Sequence, residues 1–493
     1  MPDILVDYPE YRATAKLDVL RLTEYNYLDQ QKHIYLDYTG AGLAARHQFA
    51  AHKARLESAT FGNPHSENPT SQCATGLVEL ARKRVLAHLN ASPEVYQVIF
   101  TPNATGAAKL VGESYPFSKR SRLVLTSDNH NSLNGIRQYA RRAASRTDYI
   151  PLNPKDLRIS TRDVAKSLSR TRPWSLGGSG ARGKRGLFVY PAQSNFSGVR
   201  HPLSWIKLAQ DHGYDVLLDA AAFLPTSKLD LSVVKPDFVM ASWYKVFGFP
   251  TGVGCLVARH DALARLERPY FAGGTVRAVS VAVQFHALVD NEGRFEDGTV
   301  NYLSIPDVHV GLDWISDVGM ELISTRVRCL TGWLIHRLLM LRHGNGRPMA
   351  RIYGPTTTED RGGTVAFNLL DSQGNMVDER LVALESSAAR ISLRTGCFCN
   401  PGAGETIFGL SRQSLRQFAA DRDATFDDFL QRAKMPTGGA IRVSFGVAST
   451  TGDVDYFIGF VVRTYRNRIC TTEGLKPRHS CLGFFFFGFF GAY

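Results

Sequence analysis

The stretch Asp237–Gly254, DFVMASWYKVFGFPTGVG, decides the fold. From Phe238 to Ala241 it is apolar without polar alternation, as in a strand covered on both faces. It then runs out into Ser242-Trp243-Tyr244-Lys245 and a turn rich in glycine and proline. Comparable short runs lie on both sides: VYQVIF (95–100), RLVLT (122–126), GLFVY (186–190), DVLLD (215–219) and GCLVA (254–258). They alternate with helical patterns, among them Cys73 to Asn90, where Leu77, Leu80, Ala81, Val85, Leu86 and Leu89 share one face. The pattern predicts an α/β protein with a mainly parallel sheet, of about seven strands, flanked by helices.

Beyond about residue 305 the pattern changes to long helices (GLDWISDVGMELISTRVRCLTGWLIHRLLML), then separate strands (GTVAFNLL, ARISLRT, AIRVSF) and further helices. Segregated elements predict a smaller α+β domain. The expected division is an N-terminal segment (1–30) packing on the small domain, a large domain (31–305), the small domain (306–466) and an irregular tail (467–493). Arg170 to Arg185, where Gly, Ser and Arg displace the apolar pattern, is expected to be the least ordered part of the body.

The chain of 493 residues is 44% apolar and 21% charged, enough for a large core. Its net charge of +13 favours anionic ligands, but the basic residues cluster without interleaved aromatics, and nucleic acid is not expected as a partner. Seven cysteines in no secretory spacing predict free thiols in a reducing compartment. The acidic, polar N-terminus resembles neither a signal nor a transit peptide, so a cytoplasmic location is expected. The tail GFFFFGFFGAY (483–493) is too short to span a bilayer; no membrane association is expected, and the tail reads as the product of truncation or a faulty gene model.

A lysine directly after a strand, in an aromatic setting, can have its ammonium pKa lowered and become the nucleophile a Schiff base needs. Taken alone, Lys245 reads more readily as a solvated loop residue. Asp219, at the end of a predicted strand, could pair with a protonated ring nitrogen, or could cap a helix. FTPNATGAAKL (100–110) runs from strand to helix through Asn103, Thr105 and Gly106, a turn whose backbone amides can cradle phosphate. Cys397-x-Cys399 has no second cysteine or histidine pair at ligand spacing, so no metal is expected.

TPNATGAA, SDNHNS, PAQSNFSGV, LLDAAA, SWYKVFGFPTGVG, FEDGTVNY and RTGCFCNPGAGE occur in the order seen in class V aminotransferases and cysteine desulfurases. YLDYTGAG, GNPHS and RTGCFCNPG more specifically resemble the N-terminal domain of the molybdenum cofactor sulfurases, over roughly Tyr35 to Val462. The resemblance implies a fold type I enzyme using pyridoxal 5′-phosphate (PLP), with Lys245 as its covalent anchor. His130 would stack on the ring, Asn195 approach its phenolic oxygen and Asp219 hold its nitrogen. Ser242 and the backbone at Ala104 and Thr105 would hold the phosphate, with Thr299 reaching in from a second subunit of a homodimer. Arg394 matches the arginine that binds the substrate carboxylate, and a guanidinium suits that task. Cys399, on a mobile glycine-bearing loop, matches the cysteine that takes sulfur as a persulfide. Two positions depart from the wider family's pattern: Ala222 stands for a glutamine and Tyr244 for a histidine.

The implied activity is that of a cysteine desulfurase: L-cysteine is the substrate, L-alanine leaves, and sulfur passes to the molybdenum cofactor or a cofactor-binding protein. Full-length sulfurases carry a second, cofactor-binding domain, and nothing after about Thr464 is long enough to be one. Another PLP reaction on the same scaffold, a transamination or lyase step, and a truncated non-catalytic binding protein are the alternatives. Cys397 reads as a second sulfur carrier, a resolving thiol or a packing residue.

Overall fold

In a computed structural model, residues 3–169, 185–420, 426–432, 435, 437–471 and 475 are described. After β1 (Ile34–Tyr35), seven strands build the large sheet: β2 (Tyr96–Thr101), β3 (Arg122–Thr126), β4 (Arg146–Ile150), β5 (Gly186–Pro191), β6 (Tyr214–Asp219), β7 (Phe238–Ser242) and β8 (Gly254–Arg259). Their spatial order is β2-β8-β7-β6-β5-β3-β4. β4, β3, β5, β6 and β7 pair in parallel, whereas β8 runs antiparallel to both β7 and β2. The expected α/β class and mainly parallel sheet are therefore present.

Two features of the sheet have simple causes. A parallel return needs a crossover of a dozen or more residues. The link from β7 to β8 is shorter and leaves and re-enters at one end of the sheet, with Ser242 opposite Gly254. β4 is an edge strand whose side chains are mostly exposed or half-buried, so RTDYI carries no apolar run to announce it.

The large sheet places the chemistry at one end. Asp219 closes β6, Ser242 closes β7, and Asn103 after β2 caps the helix Ala104–Ser114 by accepting the Gly106 N–H at 2.9 Å. The expected amphipathic helix spans Pro69–His88, capped by Asn68 and with proline in its first turn.

Further on come a short hairpin, β9 (Val276–Ser280) and β10 (Phe285–Leu288), and two helices, Pro306–Val318 and Met320–Met340. The long apolar pattern is thus split at Gly319, whose φ of +96° is open to glycine but strained for other residues. β11 (Ala350–Tyr353), β12 (Thr364–Leu369), β13 (Ile391–Ser392), β14 (Arg394–Gly396) and β15 (Ala440–Ser444) follow. A second, antiparallel sheet has the order β11-β12-β15-β14. ARISLRT, expected as one strand, divides between two sheets: β13 pairs with β1, and β14 with β15. The first helical turns lie against this region, where Arg326 donates to Asp18 at 2.7 and 2.9 Å and Arg21 to Ala448 O at 2.7 Å.

Of the segment expected to be least ordered, only Arg185 is among the described residues, where it pairs with Asp215 at 2.8 Å. The apolar tail also lies outside the described residues. No helix among the described residues is long and apolar enough to cross a membrane.

Candidate active site

Lys245 sits in a five-residue helix, Trp243–Phe247, between β7 and β8. Trp243 and Phe247 are both fully buried, with rings stacked at 6.0 Å, and Val246 joins them in the core. Burying a side chain of the Phe247 type contributes about 3 kcal/mol, which fixes the helix and leaves Lys245 facing a cavity of about 490 Å³. Lys245, Cys399, Ala104, Thr105, His130, Asn195, Asp219, Ser242 and Arg394 all line that one cavity. Thr299 does not: it lines an adjoining cavity of about 500 Å³ that shares Pro102, Asn103, Thr105 and Gly252 with the first, and Asn63 Nδ2 donates to its hydroxyl at 3.2 Å.

The Lys245 amine makes no hydrogen bond or ion pair to a described residue. Burial pushes its pKa down from the ordinary 10.5, the Arg442 and Arg394 charges push the same way, and Asp219 opposes them. A buried amine held toward its neutral form is a nucleophile. Burial likewise pushes the Asp219 carboxyl up, against the Ala221 N–H that donates to Oδ1 at 2.9 Å and the nearby Lys245. Its Oδ2 receives no hydrogen bond from a described residue, so a cation or N–H entering the cavity meets an unsatisfied acceptor.

His130 Nδ1 accepts the Ser132 N–H at 3.1 Å, which leaves the ring proton on Nε2. The ring borders the cavity, but burial pushes its pKa down to about 3 from 6.5, with Lys245 and Arg442 adding to the shift. The imidazole is neutral at working pH. Between about pH 3 and 6.5 the unfolded chain holds a proton on His130 that the folded chain does not. The stability associated with neutral His130 is therefore full above pH 6.5 and is lost as pH falls through that window. The midpoint of denaturant unfolding is expected to drop on going from pH 7 to about pH 4.5, and less so in His130→Phe. Parallel profiles for the two proteins would contradict the assignment.

The phosphate end is built from hydroxyls and a helix start. Ser242 Oγ accepts the Ala104 N–H at 2.9 Å, Thr105 Oγ1 and Ser132 Oγ are 2.7 Å apart, and the Thr105 N–H has no described acceptor. A free amide at the first turn of an eleven-residue helix, ringed by three hydroxyls, suits a phosphate dianion. Together with the unpaired Lys245 amine and the unsatisfied Asp219 oxygen, these residues fit PLP. Among the described residues no group of three or more histidine, cysteine or acidic side chains could hold a metal ion.

Two residues absent from the sequence reading complete the site. Arg394 on β14 and Arg442 on β15 are register partners, a like-charge pair that would be destabilising if left alone. Asp37 lies between them: Oδ2 accepts from Arg394 at 2.7 Å and Oδ1 from Arg442 at 2.9 Å. Burial pulls the Arg394 pKa down, but Asp37 outweighs it and holds the guanidinium charged, whereas in the fully buried Arg442 desolvation wins. An arginine inside the apolar strand AIRVSF was the available signal, since a buried cation requires a partner.

The cysteine loop is held in a strained conformation. Phe398 and Cys399 both have φ of +55°, a conformation that costs non-glycine residues about 1–2 kcal/mol each. Asn195 Nδ2 donates to Phe398 O at 2.6 Å, and the Asn131 N–H to Cys399 O at 2.7 Å. These bonds dock the loop, and the Asn195 amide expected at the cofactor's phenolic oxygen is engaged by it. Cys399 is partly exposed to the cavity. Cys397 is only 2% exposed, its thiol directed at Gly438 O and pushed up in pKa first by burial and then by Glu379, as befits a packing residue.

Residues 34–457 match the family model for aminotransferase class V. The chain belongs to the class V aminotransferases. Class V relatives include the molybdenum cofactor sulfurase of Bos taurus, 37% identical over 452 residues, covering 87% of this chain and 50% of that protein. That of Solanum lycopersicum is 35% identical over 494 residues, covering 96% and 60%. The chain thus spans between half and three-fifths of the length of these two relatives. The apo cysteine desulfurase of Thermococcus onnurineus NA1 shares the fold, with a TM-score of 0.73 at 22% identity over 90% of this chain and 97% of that one.

Proposed function

We propose that this class V chain is a PLP-dependent cysteine desulfurase of the molybdenum cofactor sulfurase type, taking sulfur from L-cysteine onto Cys399 and releasing L-alanine. The observation that carries the reading is the single cavity joining an unpaired lysine amine, an unsatisfied aspartate oxygen, a charged arginine and a docked cysteine thiol. A transamination or lyase step has no use for that thiol.

Lys245 would hold PLP covalently, Asp219 its ring nitrogen, His130 its ring face, and Ser242, Ala104 and Thr105 its phosphate. Thr299, lying outside this cavity, is suited to the phosphate of a neighbouring subunit. When bound, PLP supplies an electron-withdrawing ring that takes up the negative charge left when a substrate Cα proton departs. Arg394, held charged and aimed by Asp37, binds the L-cysteine carboxylate. Lys245, once freed from the cofactor, is the base that takes the Cα proton. Cys399 as thiolate attacks the substrate sulfur; the sulfur–sulfur bond forms as the carbon–sulfur bond breaks, the electron pair stays on carbon, and a proton there completes L-alanine.

The persulfide on Cys399 then passes its outer sulfur to the molybdenum cofactor or a protein carrying it. The enzyme works as a cytoplasmic homodimer. The exposed Val279, Val281, Val283 and Phe285 on the β9–β10 hairpin offer an apolar contact surface, and the described cysteines are all free thiols. Incubating the PLP-loaded chain with L-cysteine tests the reading: L-alanine should appear in step with transferable sulfur. Pyruvate with ammonia, or a 2-oxo acid without sulfur transfer, would replace it with a lyase or a transaminase.

A further inference from the structure

The segment carrying Cys399 is held at a buried seat at the edge of the cavity. Asn400 is 1% exposed, and its Nδ2 donates to Asp128 Oδ1 at 2.6 Å and to Asn195 Oδ1 at 3.0 Å. Asp128 is also 1% exposed and is itself held by Ser194 Oγ at 2.9 Å and His201 Nε2 at 3.2 Å. The same Asn400 caps the helix Pro401–Ile407 by accepting the Ala403 N–H at 3.3 Å, and its own N–H closes the turn onto Cys397 O at 2.9 Å. The helix then meets the end of β3, where a Cβ on Gly402 would overlap Ser127 O.

Such a seat does more than fill space. The two residues just before it, Phe398 and Cys399, carry unfavourable backbone angles that only surrounding contacts sustain. Asn195 and Asn131 hold their carbonyl oxygens, Asp128 holds the adjoining Asn400, and Arg442 on β15 lies over the Phe398 ring at 4.8 Å. Asn400 contributes a hydrogen bond to a buried carboxylate, the strongest kind in the set.

We propose that Asn400, seated on Asp128 and Asn195, is the positioning residue that holds the Cys399 thiol in the cavity. Release of that seat lets the strained turn relax and the thiol move out toward an acceptor. Closing the seat also occupies the Asn195 amide at Phe398 O, so the docked loop and the ring oxygen of PLP compete for one side chain. This last point rests on the cofactor reading; the seat itself does not.

The test is the rate at which iodoacetamide alkylates Cys399 in the full chain, followed peptide by peptide with and without PLP. Asn400→Ala and Asn400→Asp, the second setting a carboxylate against Asp128, should each raise the Cys399 rate roughly tenfold, the worth of one hydrogen bond to a charged group. Cys397 and Cys255, both buried, should stay unreactive. In steady state the same variants should lower kcat for alanine release and leave KM for L-cysteine unchanged, because Arg394 is untouched. Unchanged Cys399 reactivity in both variants overturns the proposal. A rise shared equally by Cys397 also overturns it, since that reports general unfolding. The alkylation result stands whether or not the chain turns over L-cysteine, so its failure is distinct from failure of the desulfurase assignment.

Discussion

Replacing Lys245 with alanine should abolish the visible absorption of the PLP-loaded chain and lower alanine release from L-cysteine by roughly a thousandfold or more. The size follows from two roles resting on one amine. Among the described residues it is the only lysine lining the cavity, and it is proposed both to hold the cofactor and to take the substrate Cα proton. The fold should survive, because Trp243, Val246 and Phe247 anchor the helix and the Lys245 amine makes no hydrogen bond to a described residue. Desolvating a lysine that bonds to no described residue is a cost, so in the absence of PLP the melting temperature of Lys245→Ala should match or exceed that of the parent chain. A variant that keeps its colour and turnover would remove Lys245 from the mechanism.

Cys399→Ala should lose sulfur transfer and alanine release by roughly a hundredfold or more while keeping PLP absorption and binding of the substrate carboxylate. The residues assigned to the cofactor, Lys245, Asp219, His130 and Ser242, are separate from the thiol, and Arg394 is held by Asp37 independently of it. The expected signature is therefore an intact spectrum that responds to L-cysteine without product. Undiminished turnover in this variant would favour a transaminase. Cys397→Ala, by contrast, should leave catalysis nearly unchanged and cost stability, since that thiol is buried against Gly438 O.

What the sequence disclosed and what it hid follow from how each residue is stabilised. Buried strands write themselves as largely apolar runs, so the central β3, β5, β6, β7 and β8 were legible, as was β2, an edge strand that is mostly buried, and with them the chain positions of Asp219, Ser242 and Lys245. β4, at the opposite edge, was not, because its side chains are mostly exposed or half-buried and carry no apolar run. The direction of β8 turned on the length of one connection rather than on its composition.

The site divides along the same line. Residues whose role is chemical came from their motifs, and the cavity gathers all of them except Thr299. Residues whose role is to hold others were invisible, because their partners are distant in the chain. Asp37 reaches Arg394 and Arg442 across more than 350 residues, and Asn400 reaches Asp128 across 272. Strain at Phe398 and Cys399 is similarly unreadable, since neither residue type favours positive φ. The docked conformation of the loop emerged only from those distant contacts.

The most direct measurement is a single turnover of the PLP-loaded chain with sulfur-labelled L-cysteine, followed by peptide mass spectrometry under non-reducing conditions. One labelled sulfur atom is expected on the peptide containing Cys399, with one L-alanine per labelled chain and no label in Cys399→Ala. Alanine formed without label on that peptide, or label borne by another cysteine in both proteins, would contradict it.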